Sequence, residues 1–159
     1  MTRDDLLPSK RSPAQLIEAM GCLGDDDRRD LIQAVESLTE HSDPLVREEA
    51  LRLLLSKWRA VGARWRGVRA LEHDEDFGVR AQAALSLARS SIAATHDEDG
   101  RLILSHFLDD LEDDATRRSC YDALLMLHER GDFPTGHGPD WLTQVDWDWI
   151  AGLRQTAHL

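Results

Sequence analysis

One eight-residue phrase occurs three times in this chain. Asp43-Pro44-Leu45-Val46-Arg47-Glu48-Glu49-Ala50 returns 33 residues later as Asp76-Phe77-Gly78-Val79-Arg80-Ala81-Gln82-Ala83. A looser copy, Asp113-Asp114-Ala115-Thr116-Arg117-Arg118-Ser119-Cys120, follows after a further 37. Self-similarity at a period of 20 to 50 residues is the mark of supersecondary units that bury their apolar faces only against one another. No other feature of the sequence narrows the choice of fold as far.

Within each copy the apolar or small residues fall four apart: Val46, Ala50 and Leu54, then Val79, Ala83 and Leu87, then Thr116, Cys120 and Leu124. That spacing is one stripe of an α-helix. The leading Asp suits an N-cap, where its carboxylate accepts otherwise unpaired N–H groups, and Pro44 sits at the first helical position, where no N–H is missed. A second amphipathic segment precedes each cap. Leu31, Ile32, Val35 and Leu38 run into a turn at Thr39 to Ser42; Leu104, Phe107, Leu108 and Leu111 run up to Asp113; Trp65, Val68, Ala70 and Leu71 form a shorter version. The unit is helix, short turn, Asp-capped helix.

The pattern D-x-x-V-R-x-x-A-x-x-x-L after an amphipathic helix resembles the HEAT-like repeat, in the short variety of phycobilin lyase-type proteins. The resemblance implies an all-α fold: an α-solenoid of about three HEAT-like helical hairpins with N- and C-terminal capping helices. On that reading residues 1–159 are one domain, with a capping helix at 12–25, repeats at 26–60, 61–94 and 95–130, and a loop and Trp-rich cap at 131–159. It also implies that Asp43/Arg47, Asp76/Arg80 and Asp113/Arg117 form a polar ladder between repeats. The family spans scaffolds, inhibitors, lyases and a DNA glycosylase branch, so it implies no single activity.

Outermost repeats need caps with a polar outer face. Pro13 to Met20 supplies a helix at the front. At the back Asp140 to Ile150 reads as one helix, with Trp141, Leu142, Val145, Trp149 and Leu153 on one face and Trp147 on the other.

A chain of 159 residues can bury roughly 68–70% of its unfolded surface, so it needs neither disulfides nor a metal to hold together. Cys22 and Cys120 lie far apart and outside any C-x-x-C motif, which argues against a secreted disulfide framework and fits a reducing cytoplasm. No run of 18 apolar residues occurs, and the N-terminus is acidic, against membrane insertion and export.

Motifs for catalysis are missing: no G-x-S-x-G, no phosphate-binding glycine loop, no H-E-x-x-H. His41 near Asp43, His73 near Asp74 and Asp76, and His96 near Asp97 and Asp99 are better explained by helix capping than by metal ligation. His128-Glu129 is a single pair, whereas HEAT-like hydroxylases use several. The expectation is a non-enzymatic protein without cofactor or metal.

Charge separates two surfaces. Ala50 to Leu71 holds six basic residues and no acid: Arg52, Lys57, Arg59, Arg64, Arg66 and Arg69, interleaved with Trp58 and Trp65. The chain carries −11 overall, so −17 falls outside that stretch. The basic segment 52–69 suits phosphate contact and base stacking, the alternative function being nucleic-acid binding or DNA repair. The acids gather in the turns before the capped helices: Glu40 and Asp43; Glu72, Asp74, Glu75 and Asp76; Asp109, Asp110, Glu112, Asp113 and Asp114. Stacking puts them on one rim suited to steering a basic protein. The inner face adds Glu49, Arg52, Ser56, Gln82, Leu85, Arg89, Ser119, Asp122 and Met126. The leading expectation is a protein-protein interaction module, scaffold, adaptor or inhibitor of immunity type, gripping a partner through Asp74, Glu75, Asp76, Asp109, Asp110, Asp113, Asp114, the inner face and Trp147.

Overall fold

The computed structural model describes residues 6–130 and 140–157. Among them every regular element is helical, and eight α-helices pack together: α1 (Pro13–Asp25), α2 (Ile32–Leu38), α3 (Pro44–Leu51), α4 (Arg64–His73), α5 (Phe77–Ser90), α6 (His96–Leu108), α7 (Asp114–Leu127) and α8 (Trp147–Ala157). None is long and apolar enough to cross a membrane. The loop 131–139 lies outside the described residues.

The three repeated aspartates are N-caps. Asp43 Oδ1 accepts from the Leu45 amide, Asp76 Oδ1 from Gly78 and Val79, and Asp113 Oδ1 from Thr116; each cap contributes about 1 kcal/mol. At the front, Ser12 and Gln15 form a reciprocal capping box on α1. Third from their caps, Val46, Val79 and Thr116 are each fully buried. Helix α5 packs against α3 and α4 on one side and α7 on the other, while α6 packs on α7 and α1 on α3. The core runs through all of these contacts, from Leu16 on α1 to Ile150 on α8.

Helix α3 continues into a π-helical turn, Arg52–Lys57, where Leu53, Leu54 and Leu55 are all buried. Three consecutive side chains cannot share one face of a helix. They are covered because this segment is surrounded: Leu53 reaches Gly24 of α1, and Leu55 reaches Gly67 of α4. The segment ends at Arg59, in the left-handed region at φ 50°, with the Ala60 amide donating back to the Leu54 carbonyl.

Ion pairs bind successive helices together. Arg47 of α3 donates to both oxygens of Asp74 at 2.9 and 2.8 Å. Arg80 of α5 donates to Glu112 and Asp113, and Arg64 of α4 to the buried Asp99 of α6. The ladder therefore differs in detail from the expectation. Arg47 pairs with Asp74 rather than with Asp76, the cap of α5. Arg117 turns back to Asp110 and the Phe107 carbonyl of its own helix pair.

Three further expectations are corrected. Leu111 does not extend the apolar stripe of α6, which ends at Leu108; Leu111 stands 96% exposed. Trp65 is half exposed on α4, with the Arg66 guanidinium 4.0 Å from its ring centroid. The C-terminal segment is not one helix. A 3-10 turn, Trp141–Gln144, stops at Val145, whose extended backbone precedes α8. A straight helix would set Trp141 and Ile150 on opposite faces, since nine steps of about 100° bring the chain half a turn round; the break lets both, with Val145, insert into the core. Trp149 and Leu153 pack beside them.

Candidate functional site

The N-terminal ends of α3, α5 and α7 lie side by side. Gly78 of α5 sits against Glu48 of α3, and Thr116 Oγ1 of α7 donates to the Phe77 carbonyl at 3.2 Å. The acidic turns before α5 and α7 close onto the same edge through the pairs of Arg47 and Arg80. Eleven carboxylates thus share this edge with five guanidinium groups, those of Arg47, Arg66, Arg69, Arg80 and Arg117.

Internal pairing divides these carboxylates. Asp74 is 11% exposed and held by Arg47, so it faces inward. Asp113 caps α7 and pairs with Arg80, and Asp76 caps α5. Asp109 accepts from the Leu111 amide, and Asp110 reaches Arg117 at 3.3 Å while staying exposed. Glu112 joins Arg80 to His106. Glu75 and Asp114 are exposed, and neither side chain meets a cation among the described residues. Glu48 adds to this field. Burial, then the nearby Asp76 and Asp74, push its carboxyl above the ordinary range, against the pull of Arg47. A carboxylate in that setting gains stability from an added cation.

A cleft of about 540 Å³ opens on the same edge between the turn after α2 and the end of α4. Arg66 and Arg69 line it and both reach Glu40 Oε1, at 2.5 and 3.2 Å, with Arg47, His41, His73 and Glu75 around them. Here the basic segment and the acidic rim, separate surfaces in the sequence, meet and neutralise each other. The rest of the basic segment is similarly engaged. Arg52 pairs with Glu49, Lys57 approaches Asp25 at 3.7 Å, and Arg64 holds Asp99. Among the described residues Arg59 alone of the six has no carboxylate. Trp58 is wholly buried and offers no ring to a base.

The inner-face residues lie further along α3, α5 and α7, beyond their first turns, and in the π turn. Gln82 Nε2 donates to Ser86 Oγ, which Ser56 Oγ also reaches at 3.1 Å. Arg52, Asp122 and Met126 are half-buried and Arg89 is exposed. Trp147, half exposed, begins α8 with its ring 5.7 Å from that of Phe107. These side chains do not join the acidic edge. Among the described residues no group of three or more His, Cys, Asp or Glu is arranged to hold a metal ion.

Sequence reasoning missed the apolar part of the edge. Leu45, at the second position of α3, is 58% exposed; Phe77, at the first of α5, 56%; Leu111, just before the α7 cap, almost fully. The signal was present for Leu45 and Phe77, which stand within two residues of a repeated Asp and outside the four-residue stripe, whereas the spacing of Leu111 fits the stripe of α6 and points the other way. No family model matches the chain, and neither a curated protein nor a solved structure matches it.

Proposed function

We propose that the protein is a non-enzymatic protein-binding module built from HEAT-like helical hairpins, α2/α3, α4/α5 and α6/α7, between capping helices α1 and α8. It grips a basic partner protein at the N-terminal edge of α3, α5 and α7, as a cytoplasmic inhibitor, adaptor or immunity-type protein does. One observation carries this reading: after internal pairing the edge still holds more carboxylates than cations, with Glu75, Asp109 and Asp114 turned to solvent. Helix N-termini favour some negative charge, but three caps account for only three of eleven. A residual field of this kind raises association rates with a cationic protein and weakens as salt is added.

Affinity capture from the native cell extract tests it, using wild type and the variant Glu75→Lys/Asp109→Lys/Asp114→Lys at low and high salt. A protein retained by wild type at low salt, and lost from the variant with its circular dichroism unchanged, is the expected result. An identical set of captured proteins from both would overturn the reading. Asp74 and Asp113 are unsuitable for reversal because both hold helices together.

A further inference from the structure

Eight large apolar side chains are exposed among the described residues, and three of them, Leu45, Phe77 and Leu111, stand on the one acidic edge. Single exposed apolar residues need no explanation. A row of them is different, because at exposed positions a polar side chain would fold equally well and would not promote association. Leu45 and Phe77 stand on the first turns of α3 and α5 and Leu111 in the turn before α7, and these three helix starts are neighbours along the edge.

We propose that Leu45, Phe77 and Leu111 anchor a basic amphipathic α-helix of a partner protein, lying across the N-termini of α3, α5 and α7. This rests on the reading of the edge as a protein-binding surface and specifies what binds there. An amphipathic α-helix carries an apolar stripe flanked by charged residues, the complement of exposed apolar side chains set among carboxylates. The partner's apolar stripe meets these three side chains. Its Lys and Arg, on the flanks of that face, meet Glu48, Glu75, Asp109 and Asp114. Charge complementarity selects such a partner over a second copy of this chain, which carries −11 itself and would be repelled.

The test uses two fluorescent peptides of about 18 residues, long enough for five helical turns. One has leucines at i, i+7 and i+14 flanked by lysines; the other is a scrambled peptide of the same composition. Anisotropy at physiological salt is expected to show the amphipathic peptide binding at least about tenfold more tightly than the scrambled one, a difference of about 1.4 kcal/mol. The variant Leu45→Ser/Phe77→Ser/Leu111→Ser is expected to lose that preference while retaining its affinity for the scrambled peptide. Equal binding of both peptides by wild type, or an undiminished preference in the serine variant, would overturn the proposal. Failure of the charge reading is separately visible, because Glu75→Lys/Asp109→Lys/Asp114→Lys would then leave the binding of both peptides unchanged. Sedimentation of wild type alone completes the set: a dimer dispersed by Leu111→Ser would assign the row to self-association and likewise overturn the proposal.

Discussion

Arg47 and Asp74, 27 residues apart, meet as two parallel N–H···O bonds in a nearly buried fork. The guanidinium also donates to the His41 and Ser42 carbonyls at 2.8 and 3.2 Å, so it ties the turn before α3 to the turn before α5. The hydrogen-bonded Asp74 raises the Arg47 pKa further above its ordinary value, against burial. Removing one partner leaves a desolvated charge unmatched, which costs about 3–5 kcal/mol. Arg47→Ala and Asp74→Ala should each lower the urea midpoint by a corresponding amount. Their combination should cost clearly less than the two losses added together. Additive losses would show that the fork couples nothing.

Gly67 and Gly152 respond in opposite directions to alanine. A Cβ on Gly67 would stand 2.7 Å from Leu55 Cδ1 and 3.0 Å from Leu87 Cδ2, both on buried side chains, whereas nothing lies within 4 Å of one on Gly152. Crowding a packed core costs about 1–3 kcal/mol, more than the roughly 1 kcal/mol that Ala gains over Gly within a helix. Gly67→Ala is expected to lower the melting temperature and Gly152→Ala to raise it. Thermal unfolding followed by circular dichroism decides; two shifts of the same sign contradict the packing of α4.

The His96 and His128 rings meet edge to face at 5.3 Å, and His128 also meets Trp149 of α8 at 5.7 Å. His96 Nε2–H donates to the Leu127 carbonyl, which raises its pKa above 6.5 against burial, with Asp97 and Asp99 assisting. Burial, and then His96, lower the His128 pKa below 6.5, with Asp97 opposing. The two therefore act oppositely on stability. The His96 contribution is fully present below pH 6.5 and lost as pH rises through its raised folded value. His128 resists protonation in the fold, so it destabilises progressively as pH falls from 6.5 through its lowered folded value. Relative to wild type, His128→Asn should gain stability between pH 7.5 and 5.5, and His96→Asn should lose it. Urea midpoints at the two pH values supply the comparison.

Cys22 is exposed and Cys120 fully buried. Burial, and then the negative charge of Glu112 and Asp113, push the Cys120 thiol far above the usual thiol range, and only the thiolate reacts with alkylating agents. Iodoacetamide at pH 8 should add one group to the native protein, at Cys22, and two after denaturation. Rapid modification of Cys120 in the native state would contradict the burial of α7.

The helices and their starts were legible in the chain itself. Asp caps, Pro at the first helical position and the four-residue stripe are local or nearly local interactions, complete within a few turns of helix, so Asp43, Asp76 and Asp113 announce α3, α5 and α7 without reference to anything distant. The Trp-rich end misled because periodicity carries no sign of a break when apolar residues fall in register on both sides, as at Trp141 and Trp149. Leu111 misled for a related reason, its spacing fitting a helix that had already ended.

What folding in three dimensions decided was the fate of charge and exposure. Whether Asp74 reaches solvent or Arg47, and whether Arg66 and Arg69 face a ligand or Glu40, depends on groups brought within 4 Å from 26 to 29 residues away. Electrostatic pairing and burial are properties of distance in space. The repeat determined which residues begin each helix, and only the packing of α3, α5 and α7 determined that Leu45, Phe77 and Leu111 would be left uncovered on one acidic edge.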